Sequence, residues 1–377
     1  MNQDLLQTRI DSLAAEIPSE IEALILELGS KSKFSSLTSN KIAKSVLQAS
    51  DFYIRNPAAS TPWDEEWMQI AQIYYFLPLN YVRCLMVCDE AHRLGFLEGL
   101  KFSYDFGAGF AAGSLALQTV LKSAEPRPSI DDDFTKNDGF DFKLFDTSPI
   151  PSRLLKQALV SNGNSANTYL PGFSEVKPQQ LAQSLNLEKL LILSSYSMTE
   201  LAAVPSWMMQ AEALMIVEPS TQQDGRKLMQ TRQNLIDAGF TIWGPCPHQQ
   251  ACPLLTLSKT DWCHDRIHLK HPKWLQEIET HLPMKNRTIT WSYLLARKSA
   301  PPEILKTTIR TVGDQLVQKG KTRQLICRGA QREYLSWMHR NGDVPNIPRG
   351  LLLKTPTTAD KVSDELRITV APESFKF

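Results

Sequence analysis

The sequence predicts an α/β protein in which a helical region precedes a mostly parallel sheet and a basic, cysteine-bearing segment follows it. Three observations carry this. Apolar residues recur at helical spacing through residues 1–97. From residue 101 short apolar runs alternate with helical stretches, the pattern of a sheet covered by helices. Three of the six cysteines then fall within residues 244–265, GPCPHQQACPLLTLSKTDWCHD, beside prolines that rule out simple helix packing.

The totals set bounds. A chain of 377 residues with 42% hydrophobic and 21% charged residues is ordinary globular protein and too long for one small core. No apolar run approaches the ~20 residues a membrane span needs. The opening stretch MNQDLLQTRIDSLAAEIPSEIEALILELG carries acids inside its apolar pattern, so it does not read as a signal peptide, and the cytoplasm is the expected compartment. Thiols there stay reduced, so clustered cysteines point to metal or catalysis more than to disulfides. The net charge is only +1, but residues 285–354 hold fourteen basic and four acidic side chains, a balance of +10, against −8 for residues 1–284. That asymmetry suggests a late segment facing a polyanion; a merely solvated basic face is the alternative.

In chain order, IEALILELG and KIAKSVLQASDFYI read as amphipathic helices. DEEWMQIAQIYYFLPLNYVRCLMVCDEAHRLG reads as one or two more, with Pro78 marking a kink or break. Cys84 and Cys88 sit four apart on its apolar face and read as core thiols. FSYDF, FKLFD, NTYL, LLILSSY and ALMIVE read as strands, and AEPRPSIDDDFTKNDG as a surface excursion. GRKLMQTRQNLIDAGF reads as a helix ended by Gly239. FTIWGP and TITWSYLLARK read as two further strands with the cysteine-rich stretch between them. The tail mixes a short helix with strand-like pieces such as RQLICRG and LRITVA.

YDFGAGFAAGSLAL joins a strand to a helix. Gly107 and Gly109 let the backbone turn tightly and approach a ligand, and the following helix offers free amides. Asp105 ends one strand and Asp146 the next, where an acid can accept hydrogen bonds from a ribose diol. The turn resembles the Asp-x-Gly-x-Gly-x-Gly of class I S-adenosylmethionine-dependent methyltransferases, with Ala111 at the third glycine. Ala112 stands where the dinucleotide fingerprint needs glycine, which disfavours a nicotinamide enzyme. The Asn/Asp-Pro-Pro-aromatic of base N-methyltransferases is missing from LSSYSMTEL. Glu200 and Glu218 lie near strand ends and are expected to line a pocket, with no proton-transfer role assigned.

Five residues separate Cys246 from Cys252, and ten separate Cys252 from Cys263; Cys327 stands far beyond in RQLICRG. The close cysteine pairs of zinc sites are missing, although His248, His264 and His268 are possible substitutes. A four-cysteine iron–sulfur cluster tolerates such spacing. Zinc and free redox thiols remain the alternatives. The three-cysteine spacing of radical S-adenosylmethionine enzymes is not present.

PCPHQQACP, DWCHD and LIC, following the glycine turn, are similar to the mitochondrial small-ribosomal-subunit Rsm22 (methyltransferase-like-seventeen) family and its bacterial relatives. VEPSTQQDGRKLMQTRQNLI also looks like that family's glutamate-led segment. The likeness runs over residues 100 to 330, departing at Ala111 and at Asp265, where relatives often carry an aromatic and where only loop packing is expected to change. The resemblance implies a class I methyltransferase-like, Rossmann-like seven-stranded sheet and a [4Fe-4S] cluster held by Cys246, Cys252, Cys263 and Cys327. It implies S-adenosylmethionine at Asp105, Gly107, Gly109 and Asp146, and action on small-subunit rRNA in ribosome assembly. The alternative is a catalytically active S-adenosylmethionine-dependent rRNA methyltransferase; the catalytic residues are unassigned.

The expected organisation is a helical region over 1–97, an α/β domain over 98–244, a cluster-binding excursion over 245–288, and a last sheet strand with a basic module over 289–377. A monomer is expected. Arg297, Lys298, Arg310, Lys319, Lys321 and Arg323 are expected to present the basic surface to rRNA phosphates. Trp291, Tyr293, Tyr334 and Trp337 read mainly as core, with base stacking as the alternative.

Overall fold

Ile21, Leu24, Ile25 and Leu28 recur every three or four positions along Ser19–Lys31 (α1) and are all buried. That stripe, and the one formed by Ile42, Val46 and Ala49 on Ser39–Arg55 (α2), cannot be left in water, so the N-terminal helices pack on the body of the protein. Thr38 caps α2 by accepting from the Lys41 amide. The computed structural model describes residues 14–56, 59–123, 140–161, 170 and 173–373. The excursion at 124–139 and most of NTYL lie outside the described residues.

The long helical stretch before residue 97 is one column with a defect at the expected place. Glu66–Ala71 (α3) passes through a wide π-type turn at Gln72–Phe76 into Leu77–Arg93 (α4). Pro78, at the start of α4, has no amide to donate and its ring crowds the preceding turn, so the backbone widens just before it. Cys84 and Cys88 are buried core thiols: Cys84 Sγ donates to Ser195 Oγ at 3.3 Å and Cys88 Sγ contacts Met215 Sδ at 3.7 Å. One helical expectation gives way: Ala14–Glu16 forms a strand (β1), because it finds an unpaired sheet edge at Asp265–Lys270 (β8) and pairs with it in parallel.

The main sheet contains six of the seven strands expected, with Ser174–Glu175 as a further strand just after the NTYL stretch. Phe102–Phe106 (β2), Asp141–Phe145 (β3), Ser174–Glu175 (β4), Leu190–Ser195 (β5) and Ala213–Glu218 (β6) run parallel in the order β4-β3-β2-β5-β6. Thr288–Arg297 (β9) then pairs antiparallel to β6, and Thr241–Gly244 (β7) pairs antiparallel to one end of β9. The sheet is larger than expected by two strands, since β8 and then β1 attach to the other end of β9. Strands β5 and β6 are buried almost throughout, as continuous apolar runs between two helical layers require. Ala112–Ser123 (α5), Ile150–Ser161 (α6) and Gln222–Asp237 (α7) cover the faces. Gly239 closes α7 with φ +90, and the Phe240 amide reaches back to the Leu235 carbonyl at 2.9 Å.

The stretch between β7 and β9 holds the three cysteines, then β8, then the helix Lys273–Thr280 (α8). After β9 the chain builds a second, six-stranded sheet from Thr308–Gln318 (β10), Lys321–Cys327 (β11), Glu333–Met338 (β12), Leu352–Lys354 (β13), Asp360–Val362 (β14) and Glu365–Ile368 (β15). Its own core is Ile309, Ile326, Leu335, Trp337, Leu353, Leu366 and Ile368.

Arg310 joins the two sheets. It is 1% exposed, with its guanidinium on Glu90 Oε1 and Oε2 at 2.9 and 3.0 Å and on Asp265 Oδ2 at 2.5 Å. Tyr293 donates to the same Glu90 oxygen at 2.7 Å and lies 5.4 Å under the Arg310 guanidinium. Two expectations are corrected here. Arg310 is not part of a basic surface, because two carboxylates on α4 and β8 hold it inside. Asp265 does more than pack a loop, because it is one of those carboxylates.

Candidate functional site

The glycine turn lies between β2 and α5, and the carbonyl of Phe145 shapes it by accepting from the Gly107 and Ala108 amides at 2.8 and 2.9 Å. Gly107 (φ +69) and Gly109 (φ +50) both need left-handed backbone. So does Ala111, at φ +60: the position keeps the conformation of a glycine although the residue has changed. Asp105 is 1% exposed, and its Oδ2 accepts from the Ser114 amide at 3.1 Å and the Ser114 hydroxyl at 2.8 Å. It thereby fastens the first turn of α5, and burial pushes its carboxyl up to about 6.

Asp146, just past β3, accepts from the Gly109 amide on Oδ2 at 2.9 Å and from the Ser148 amide on Oδ1 at 3.1 Å. The indole N–H of Trp63 also donates to Oδ1, at 3.1 Å. Trp63 is buried, meets Phe110 edge to face at 5.4 Å, and lies so close to Gly109 that an added Cβ would stand 3.3 Å from its ring. Ser197 closes the turn on another side, 2.4 Å from where a Gly107 Cβ would be. The Asp146 carboxylate beside a close-approach glycine turn therefore suits the ribose of an adenosyl ligand, but the Gly107, Ala108 and Gly109 amides already donate within the turn and Trp63 covers the carboxylate. Nothing in TPWDEEW marked Trp63 for this place, since the contact spans 83 residues.

Beyond β5, Tyr196 adopts φ +62, an uncommon conformation for a bulky residue, with Arg83 5.5 Å over its ring. Glu200 follows; burial, then the charge of Asp146, pushes it up to about 7. Glu218, at the end of β6, lines a small pocket with Met198, Leu201, Val204, Ile216 and Lys227. Its Oε1 accepts from the Met198 amide at 3.0 Å, while Oε2 is buried with no hydrogen-bond partner. Lys227 is spent on the carbonyls of Met198, Thr199 and Leu201.

The second site is built on the loop after β7. Arg226 of α7 gathers that loop, donating to the carbonyls of Leu254, Leu255, Ser258 and Asp261 at 2.9–3.3 Å. Gln250 accepts from the Ala330 amide at 2.9 Å, tying the loop to the second sheet just past Cys327. Cys246, Cys252 and Cys327 are buried and Cys263 partly so. Cys252, Cys263 and Cys327 share one cluster with Met229, Leu254 and Val312. Hydrogen bonding from Cys327 and the nearby Arg232 cation hold the Cys246 thiol well below its usual range. The Cys327 thiol is driven up by that hydrogen bond and by burial.

His248 Nε2 stands 3.2 Å from Cys327 Sγ. His264 instead stacks on Trp262 and meets Arg349, and His268 meets Thr288, so these two serve other contacts. Arg232 is the residue that spacing could not reveal. It is 2% exposed and donates to the His248 carbonyl at 2.6 Å, and among the described residues its Nε and Nη1 are buried without hydrogen-bond partners. A buried cation with idle donors calls for a nearby anion, and the thiols are what it faces. Among the described residues, no group of three or more His, Cys, Asp or Glu side chains is arranged to hold a metal ion.

Residues 178–341 match the family described as mitochondrial small ribosomal subunit Rsm22. The Rsm22 match takes in all four cysteines, Arg226, Arg232 and Glu218, and leaves out the glycine turn and Trp63. No curated protein matches the chain. Among solved structures, a candidate RNA methyltransferase from Pyrococcus horikoshii is 12% identical, with 67% of this chain and 100% of that one covered at a TM-score of 0.34. Magnesium protoporphyrin IX methyltransferase from Synechocystis PCC 6803, solved with bound S-adenosylhomocysteine, is also 12% identical, covering 67% of this chain and 95% of its own at a TM-score of 0.32. The methyltransferase-like α/β architecture rests on the strand order of the main sheet. No described helix is long and apolar enough to cross a membrane.

The basic surface is redistributed. Arg297 is half-buried, pairing with Glu212 at 2.9 Å and donating to the Phe96 carbonyl. Lys298 donates to the Gln210 carbonyl. Lys319 is exposed, and Lys321 and Arg323 are half-exposed on the second sheet. Trp291, Tyr293, Tyr334 and Trp337 are all buried, as the core reading expected.

Proposed function

We propose that this chain is an S-adenosylmethionine-binding, methyltransferase-like protein that carries a [4Fe-4S] cluster and binds small-subunit rRNA during ribosome assembly. The reading is supported above all by the Cys246–Cys327 contact, by Cys252, Cys263 and Cys327 sharing one apolar cluster, and by the idle Arg232 donors, within the segment that matches Rsm22. Those four thiolates would hold the cluster, whose chemistry here is that of a scaffold. Three ligands come from the loop after β7 and one from β11, so the bound core ties the second sheet to the first. Arg232 offsets the excess negative charge of the thiolates, and the apolar wall of Met229, Leu254 and Val312 keeps water away from them.

Asp146 would hold the ribose of S-adenosylmethionine, with Gly107 and Gly109 letting the backbone approach the ligand and Asp105 positioning the turn through α5. An assembly role is favoured over catalysis because Trp63 occupies Asp146 and the base-clamping motif is missing after β5.

Anaerobic purification with iron and sulfide analysis and Mössbauer spectra tests the cluster. Wild type should carry about four irons and four sulfides per chain, and Cys327→Ser should lose most of both. Abundant zinc without sulfide would refute the assignment. Binding to immature small subunits that survives Asp146→Asn supports the assembly role. Methyl transfer from labelled S-adenosylmethionine that is lost in Asp146→Asn would instead support the catalytic one.

A further inference from the structure

The second sheet has a specific strand order. β10, β11 and β12 form an antiparallel meander, β12 pairs in parallel with β15, and β15 pairs antiparallel with β14. β13 returns to pair antiparallel with β10. β13 and β14 are consecutive in the chain, separated by residues 355–359, and stand at the two ends of the strand order, β13 beside β10 and β14 beside β15. Counting β13 and β14 as two halves of one chain segment, the order matches the Greek-key connectivity of five-stranded barrels that bind oligonucleotides across their second and third strands and between the loops flanking them. The register shift in β10 between Thr311 and Gln315 supplies a bend of the kind such barrels require, and Gly313 there lets Leu325 approach.

The residues on the outer face of those strands fit a polyanion with exposed bases. Lys321, Arg323, Met338 and Arg367 lie outward, with Lys321 and Arg367 both paired to Glu365, while Thr322, Leu335 and Trp337 point in. The Arg323 guanidinium lies flat on Tyr334, 4.3 Å from its centroid, and pairs with no acid among the described residues. It presents a planar cationic face of the kind on which unpaired bases stack. At the same end the His339 amide donates to the Gly320 carbonyl at 3.0 Å, bringing exposed Arg340 beside the hairpin that carries exposed Lys319. Leu316 and Val317, at 47% and 77% exposure, form an apolar rim on that hairpin. The opposite end of the face is closed, with Leu325 and Cys327 on the cysteine loop and Arg332 on Asp261 at 2.9 Å. The free end therefore sets exposed cations beside exposed apolar side chains.

We infer that this face of the second sheet, from Lys319 and Arg323 across to Arg340, binds a single-stranded segment of RNA. The inference deepens the ribosomal reading by naming the surface and the strandedness of its target; it does not depend on the cluster or on S-adenosylmethionine. Backbone phosphates meet the lysine and arginine cations, and a base splayed from the strand lies on Arg323. A duplex would offer phosphates but no free base face.

Fluorescence anisotropy of the full chain with a labelled twelve-nucleotide RNA, single-stranded and as its duplex, tests this. The surface pair Lys319→Glu/Arg340→Glu should weaken single-strand binding at least tenfold, with an unchanged melting curve. It should lower the salt slope by roughly 0.7 for each phosphate that is no longer neutralised. Arg323→Lys, which keeps the charge and loses the plane, should weaken the single strand more than the duplex. Tighter duplex than single-strand binding, or wild-type affinity in the charge-reversed pair, overturns the inference. Co-sedimentation with small subunits separates the two claims: wild type that sediments with subunits while both variants bind RNA normally keeps the ribosomal reading and ends this one.

Discussion

The Trp63 indole donates to Asp146 Oδ1 across 3.1 Å, so the carboxylate best placed for a ribose already has an occupant from the N-terminal region. Trp63→Phe keeps an aromatic ring against Phe110 and removes the donor. A hydrogen bond to a charged group is worth ~1.5–3 kcal/mol, and tenfold in affinity corresponds to about 1.4 kcal/mol. S-adenosylhomocysteine should therefore bind Trp63→Phe roughly tenfold more tightly by titration calorimetry. Unchanged or weaker affinity would mean that the indole does not compete for this site.

Arg310 is expected to be among the costliest single positions in a mutagenesis series. Arg310→Met leaves Glu90 and Asp265 buried without their cation. Breaking a buried pair in this way typically costs about 3–5 kcal/mol. The denaturation midpoint should fall accordingly, and limited proteolysis between the sheets, at residues 298–307, should speed up. A loss under about 1 kcal/mol, the scale of a surface pair, would contradict the buried network.

Two glycines separate backbone strain from steric clash. Gly239 and Gly107 both have positive φ, but a Cβ on Gly239 meets nothing within 4 Å, whereas on Gly107 it would stand 2.4 Å from the Ser197 Cβ. Gly239→Ala should cost roughly 1–2 kcal/mol, the left-handed penalty alone. Gly107→Ala should cost that plus a further ~1–3 kcal/mol of overpacking. Equal losses in thermal denaturation would show that the turn gives way to Ser197 without strain.

Four of the five parallel strands were legible because each is a short apolar run bounded by turn residues, as in ALMIVE; β4 was not, because Ser174–Glu175 is two polar residues that become a strand only by pairing with β3. The glycine turn was legible because its conformation leaves few residue choices. β1 was not, because Ala14–Glu16 becomes a strand only by meeting the edge of β8, 254 positions away in register. Arg310 misled for the related reason that composition counts a cation without its partners, and Glu90 lies 220 residues earlier. Trp63, Arg226 and Arg232 carry no local pattern at all; only the folded chain reveals that one covers a carboxylate, one gathers a loop and one faces thiols.

Glu218 should give the protein a pH dependence opposite to that of an ordinary salt-bridged acid. Burial is the main cause that pushes its carboxyl from 4.5 up to about 8, with the Asp224 charge adding to it and the Met198 amide and Lys227 opposing it. Between these values the folded chain holds a proton that the unfolded chain has released. Stability from this group is therefore full below about 4.5 and is lost as pH rises toward about 8. The slope is at most about 1.4 kcal/mol per pH unit. Asp105 and Glu200, raised to about 6 and about 7, act in the same direction over narrower windows. Glu218→Gln keeps the oxygen that accepts from Met198 and removes the titration. Its denaturation midpoint should match wild type near pH 5 and exceed it increasingly toward pH 8, while the lower-pH slope from the other two carboxyls remains. Parallel curves for the two proteins across that range would place a charged, solvated carboxylate at Glu218 and contradict its burial.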